Sequence, residues 1–153
     1  MKQRAAVKVM APAETVFDLL ERDRTEFKND ELIQRRALGS LCFGPGYRFE
    51  ATVSHGGKRC SSITRITVCR RPFVLQEEWE HYCEVAGRKI TGSQRFELLV
   101  DAAGTTLVCE LAQRRPGLGG ALDDLLRFSC KGASAKAAHL GMRAEARAHS
   151  TQG

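Results

Sequence analysis

Gly119-Gly120-Ala121-Leu122-Asp123-Asp124-Leu125-Leu126-Arg127-Phe128-Ser129-Cys130-Lys131-Gly132-Ala133-Ser134-Ala135-Lys136-Ala137-Ala138-His139-Leu140-Gly141-Met142-Arg143-Ala144-Glu145-Ala146-Arg147-Ala148 decides the fold. It has no proline, few β-branched residues and many alanines. Leu118, Leu122, Leu125, Leu126, Ser129, Ala133, Ala137, Leu140 and Ala144 recur in steps of three and four, on one face of a helix. Asp124, Arg127, Lys131, Glu145 and Arg147 fall on the other. A helix of about thirty residues spans about 45 Å. Propensity alone rarely holds such a helix in place, so it needs a broad surface to lie on. The roughly seventy residues before it supply that surface as alternating strands.

Residues 4 to 9 alternate, with Ala5, Val7 and Val9 on one face. Met10-Ala11-Pro12-Ala13-Glu14-Thr15-Val16-Phe17-Asp18-Leu19-Leu20 then reads as a helix start. Proline is tolerated in the first turn, and Glu14 suits the positive end of the helix. This helix is expected to fade by Arg22-Asp23-Arg24, with a second short turn of helix over Thr25 to Asp30. Leu32 to Leu38 is the second strand and Gly44-Pro45-Gly46 a turn. Tyr47 to Ser54 places Tyr47, Phe49, Ala51 and Val53 on one face. His55-Gly56-Gly57-Lys58 is a hairpin signal. Cys60, Ser62, Thr64, Ile66 and Val68 are in phase on the return strand. From Phe73 to Tyr82, the set Phe73, Leu75, Glu77, Trp79 and His81 is the more apolar and is turned inward. Ile90, Gly92, Gln94, Phe96, Leu98 and Val100 line the next strand, and Leu107, Cys109 and Leu111 the last. Strands joined by short turns with no helices between them require an antiparallel meander.

The order is strand, helix pair, six meandering strands, long C-terminal helix. With its landmarks, it resembles the START-related, or SRPBCC, superfamily of helix-grip proteins, often labelled polyketide cyclase/dehydrase-like. The landmarks are Met10 to Leu20 after the first strand, Gly44-Pro45-Gly46-Tyr47-Arg48-Phe49, Arg71-Pro72-Phe73-Val74-Leu75 and Gly104-Thr105-Thr106-Leu107. The resemblance covers nearly the whole chain. It implies an α+β helix-grip fold, with a curved antiparallel sheet of about seven strands around the long C-terminal helix and two short helices after strand 1. Residues 1–149 form a single domain in this reading, and 150–153 a tail. It also implies an apolar cavity between sheet and helix, since members bind lipids, sterols, polyketides, quinones or plant hormones, and some are aromatase/cyclases. The chain lacks the Cys/His pattern of a Rieske cluster. Its Gly44-Pro45-Gly46 turn is shorter than the glycine-rich loop of the plant-allergen branch. Phe27-Lys28-Asn29-Asp30 stands where a tryptophan and proline are common.

The chain's 153 residues, 42% hydrophobic and 27% charged, suit one domain. No apolar run approaches the roughly 20 residues needed to span a bilayer, and the N-terminus shows no apolar signal core. The cytoplasm is the expected location. The net charge is +6. Its arginine doublets sit near expected strand ends without interleaved aromatics, so a solvated basic surface is expected rather than a nucleic-acid groove. The six cysteines contain no CxxC pair. His81-x-Cys83 lacks two further ligands at compatible spacing for zinc, so no metal and no cofactor is expected. Reduced, partly buried thiols are the reading for an unexported chain. The pattern leaves a homodimer open.

The expected site is a pocket walled by Tyr47, Phe49, Trp79, Phe96, Leu122 and Leu126, with Ser62, Thr64, Glu77, His81 and Gln94 as polar points. A few polar groups in an apolar pocket define a small-molecule site. Glu77 and His81 flank Trp79, about 13 Å apart along one strand face. In a dry pocket either could act as base or acid on a flat ligand stacked on Trp79, as cyclisation and dehydration of a poly-β-carbonyl chain would need. The structural alternative pairs Glu77 with an arginine at the sheet's rim and leaves His81 wet at the strand end. Asp123 and Asp124 suit a first helical turn, and His139 and His149 the surface. The principal expectation is therefore binding of a small, largely apolar or aromatic ligand. The alternatives are a cyclase/dehydratase-type enzyme using Glu77 and His81, and a non-catalytic protein-interaction module.

Overall fold

The computed structural model describes residues 2–27, 29, 33–55, 58–83, 88–114 and 133–150. Its elements are β1 (Lys2–Val9), α1 (Ala13–Thr25), β2 (Ile33–Ala37), β3 (Arg48–His55), β4 (Lys58–Arg70), β5 (Val74–Cys83), β6 (Arg88–Asp101), β7 (Gly104–Arg114) and α2 (Ala133–Ser150). The seven strands form one curved antiparallel sheet in the order β1-β7-β6-β5-β4-β3-β2. α1 carries the chain from one edge of the sheet to the other. Strands β2 to β7 are then sequential neighbours, and β1 closes against β7.

The core lies between the inward sheet face and the two helices. Val9, Ile66, Leu75, Leu98, Leu107 and Cys109 come from the sheet, and Val16, Phe17 and Leu20 from α1. α2 contributes small residues, with Ala133, Ala137, Leu140, Gly141 and Ala144 buried. A Cβ at Gly141 would stand 3.3 Å from a methyl of Val9, so a small residue there lets helix and β1 lie close. Arg143 pairs with Asp23 at 2.8 Å, and Glu145 accepts the Met10 N–H at 2.9 Å, which ties α2 to α1 and to the end of β1. The expected helical stripe is thus present from Ala133 onward. Its first part, from Gly119 to Gly132, lies outside the described residues, as does the 56–57 hairpin tip. The helix runs one residue into the expected tail.

Five expectations change. α1 continues through Arg22-Asp23-Arg24 to Thr25 as one helix, because Arg24 is on its buried face four residues beyond Leu20. Glu26 then turns extended, and Asn29 holds the Arg35 backbone through both N–H and C=O. Of the expected second turn of helix, Thr25 to Asp30, residues 28 and 30 fall outside the described set, as do 31–32 before β2. Val68 leaves the inward phase, because a bulge after Ile66 inserts one residue and brings Cys69 opposite Leu75. Phe73 is 51% exposed, since it closes the turn before β5, and Val100 is 60% exposed where β6 runs on toward the end of the sheet. Cys60 is disulfide-bonded rather than a reduced thiol; Cys83 stands opposite it across β4 and β5, a proximity that sequence spacing does not reveal.

Gly92 has a packing reason. It stands directly across from Trp79 on β5 and β6, and the indole lies over it. A Cβ at position 92 would fall 2.2 Å from the ring. Gly92→Ala therefore forces the indole off its seat and is expected to cost about 1–3 kcal/mol of stability as overpacking. Urea denaturation checks this, and an unchanged midpoint would mean that Trp79 does not rest on Gly92.

Candidate functional site

The antiparallel register lays the inward residues in cross-strand rows. One runs Ile66, Glu77, Gln94, Leu111. The next runs Phe49, Thr64, Trp79, Gly92, Gln113. A third runs Arg35, Ala51, Ser62, His81, Ile90. Burial changes along them. Glu77 and Trp79 are each 6% exposed and Gln94 3%, with Thr64, Phe96 and Tyr47 also buried. Phe49, Ser62 and His81 stay partly exposed. The inward face is closed at its Leu75 end and half open at its His81 end.

The structure therefore places Tyr47, Phe49, Ser62, Thr64, Glu77, Trp79, His81, Gln94 and Phe96 on the same concave face. Leu122 and Leu126 lie outside the described residues. Phe27, Tyr47 and Phe49 form a tilted aromatic chain, with centroids 5.8 Å apart for Phe27–Phe49 and 6.4 Å for Tyr47–Phe49. The Trp79 and His81 rings lie 4.5 Å apart.

Glu77 is held by a residue that the sequence reading left on a fading helix end. Arg24, on the last turn of α1, donates from Nε to one carboxylate oxygen at 2.5 Å and from Nη2 to the other at 2.9 Å. It also donates to the Leu20 carbonyl at 2.7 Å and lies over the Phe96 ring at 5.2 Å. Burial opposes the guanidinium charge, but attraction and hydrogen bonding to Glu77 outweigh it, and Arg24 is held above its ordinary pKa. Tyr47 donates its hydroxyl to the Arg24 carbonyl at 3.0 Å. The expected rim pairing is thus a buried, two-pronged pair at the floor of the concave face. With both oxygens engaged, Glu77 anchors α1 to the sheet rather than standing ready to exchange a proton.

His81 is partly buried instead of wet. Burial first, and the nearby Lys136 ammonium second, push its pKa from 6.5 down to about 4. At neutral pH it is a neutral imidazole, one donor and one acceptor. Lys136, from the first turns of α2, donates to Gln94 Oε1 at 3.0 Å, and Gln94 Nε2 points at the Cys109 sulfur at 3.3 Å. Arg24 and Lys136 were missed because a cation in a helix reads as surface. Their helical phase carried a signal: Arg24 follows Leu20 by four, and Lys136 lies three after Ala133 and four before Leu140.

A surface recess of about 560 Å3 lies elsewhere, lined by Met10, Pro12, Phe73, Val100 and Thr105 among others. It sits at the end of the sheet where the β4–β5 and β6–β7 turns meet, and includes none of the concave-face residues. Among the described residues no helix is long and apolar enough to cross a membrane, and no group of three or more His, Cys, Asp and Glu side chains could hold a metal ion.

With this geometry in place, the chain has the helix-grip fold. It superposes on Ara h 8.0201 with a TM-score of 0.64 at 13% identity, covering 98% of each chain. An uncharacterised protein of Rhizobium leguminosarum gives a TM-score of 0.63 at 12% identity, covering 95% of this chain and 91% of that one. Mll3558 of Rhizobium loti gives 0.61 at 14% identity, with 84% and 89% covered. At such identities the likeness is one of fold. No protein-family model matches the sequence, and no curated protein matches it either.

Two outcomes follow from this chemistry. Arg24→Met and Glu77→Leu each leave a buried charge unpaired, so each is expected to lose about 3–5 kcal/mol. The double variant should lose much less than their sum in chemical denaturation, and additive losses would show that the two groups do not act as a pair. The second concerns pH. His81 binds its proton more weakly in the folded chain, so between about pH 6.5 and 4 the unfolded chain holds more protons and stability falls on acidification. His81→Gln should lose less stability than the parent from pH 7 to pH 4.5; parallel losses would place His81 in water.

Proposed function

We propose that this protein binds a small, largely apolar ligand between the concave sheet face and α2. The observation that carries this reading is the graded face itself. A dry floor of Leu75, Ile66 and the Arg24–Glu77 pair gives way to Trp79 and Phe49, then to the half-open Ser62 and His81. A flat or elongated apolar body can lie on the aromatics, while Thr64, Ser62 and Gln94 orient it. The resemblance of the sequence to START-related proteins, and the helix-grip fold, support the same reading. The geometry favours a carrier or sensor over an acid–base enzyme. Glu77 is engaged at both oxygens, and an imidazole with a pKa of about 4 is a weak base that is not in its acidic imidazolium form at neutral pH.

Trp79 is the single tryptophan and reports on this face alone. A flat apolar probe such as a flavonoid is expected to quench its emission saturably, with a Kd on the order of micromolar for an unoptimised ligand. Trp79→Phe should keep the fold and remove the signal. Emission unchanged by every apolar probe would contradict ligand binding on this face.

A further inference from the structure

We propose that Thr64 receives a hydroxyl group of the ligand, so that the concave face selects a neutral, hydroxyl-bearing apolar molecule. This rests on the apolar-ligand reading above and names the polar group that the site recognises.

Buried polar side chains are nearly always hydrogen-bonded, because a bond left unmade away from water costs free energy. The buried polar side chains among the described residues follow that rule with one exception. Arg24 and Glu77 hold each other, and Gln94 is engaged at both ends of its amide. Thr105 donates to the Ala11 carbonyl at 2.8 Å, and Gln113 is not without a partner. Thr64 is the exception. It is 7% exposed, and its hydroxyl makes no hydrogen bond to a described residue. An exposed hydroxyl needs no protein partner, since water serves it. Thr64 instead lies on the inward face, in the row of Phe49, Trp79 and Gly92.

The register sets matching groups beside it. Ser62 is two residues along the same strand face, about 7 Å away. His81 stands directly opposite Ser62, as Trp79 stands opposite Thr64, and the Trp79 and His81 rings lie 4.5 Å apart. Four side chains thus form one block across β4 and β5. Ser62 and His81 also make no side-chain hydrogen bond to a described residue.

The block decides the head. A hydroxyl and a neutral imidazole each donate one hydrogen bond and accept another, and His81 is neutral at pH 7. A ligand hydroxyl fills both roles at once. A carboxylate only accepts, and it would bring a charge into a half-dry block whose own groups are neutral. The Lys136 ammonium is engaged on the Gln94 amide, in the floor row. Trp79 and Phe49 share the row of Thr64, so the apolar body lies against rings while its hydroxyl meets Thr64.

The test uses N-phenyl-1-naphthylamine as a neutral reporter of the apolar site, displaced by 2-naphthol, naphthalene or 2-naphthoate, which share a ring system and differ in the head. In the parent protein 2-naphthol is expected to displace the reporter at about tenfold lower concentration than naphthalene, and to outcompete 2-naphthoate. Thr64→Val should abolish most of the gap between 2-naphthol and naphthalene, and Thr64→Ser should keep it. The thermal midpoint of Thr64→Val is expected to stay level or rise, because the lost hydroxyl had no protein partner. A clear fall in that midpoint would assign the hydroxyl to the fold and overturn the inference. Equal displacement by 2-naphthol and naphthalene, tighter displacement by 2-naphthoate, or a gap that survives Thr64→Val overturns it too, and each leaves the apolar-ligand reading standing. Failure of the parent to bind the reporter at all overturns that reading and the inference with it.

Discussion

The buried pair between Arg24 and Glu77 is the constraint around which the rest is arranged. A charge removed from water is tolerated only when it is paired and its remaining hydrogen-bonding groups are satisfied. Here each member meets that condition through a different part of the fold. The guanidinium reaches two carboxylate oxygens on β5, a carbonyl of its own helix and the face of Phe96 on β6, while its own carbonyl accepts Tyr47 from the start of β3. One side chain thus ties the last turn of α1 to strands β5 and β6. It can do so only because α1 continues through Thr25.

The pair also shapes the electrostatics of the concave face. Arg24 takes both oxygens of Glu77, and Lys136 donates to the neutral Gln94 amide. His81 is held neutral by burial and by that same ammonium. The sole acid on these described rows is thus matched by a helix residue, and the aromatics lie one row beyond it. The indole of Trp79 fits there because Gly92 leaves room across the sheet.

Much of this was legible from the chain. Period-two alternation placed Leu75, Glu77, Trp79 and His81 on one face and Gln94, Phe96 and Leu98 on its neighbour, because half-buried strands admit only one inward set. What alternation could not show was where it breaks. The bulge after Ile66 moves Val68 outward and Cys69 inward, and a single extra residue leaves no compositional mark. Phe73 looked inward because it is apolar, yet it belongs to a turn. The charged members of the site were the hardest to see. Arg24 lies in a run of Arg22-Asp23-Arg24 that resembles a solvated helix end, and Lys136 lies in an alanine-rich helix where lysine suits the surface. Only their phase relative to Leu20 and Leu140 distinguishes them. The cross-strand position of Cys60 opposite Cys83 likewise depends on register, which spacing in the sequence does not carry.

The account's central claim is where a ligand sits, and amide and indole chemical shifts during titration with N-phenyl-1-naphthylamine measure that directly. If the concave face is the site, the Trp79 indole N–H and the amides of Phe49, Ser62 and His81 move saturably together. The amides of Phe73, Val100 and Ala102 around the end recess then stay in place. Shifts confined to the end recess, with the Trp79 indole unmoved, would contradict the account.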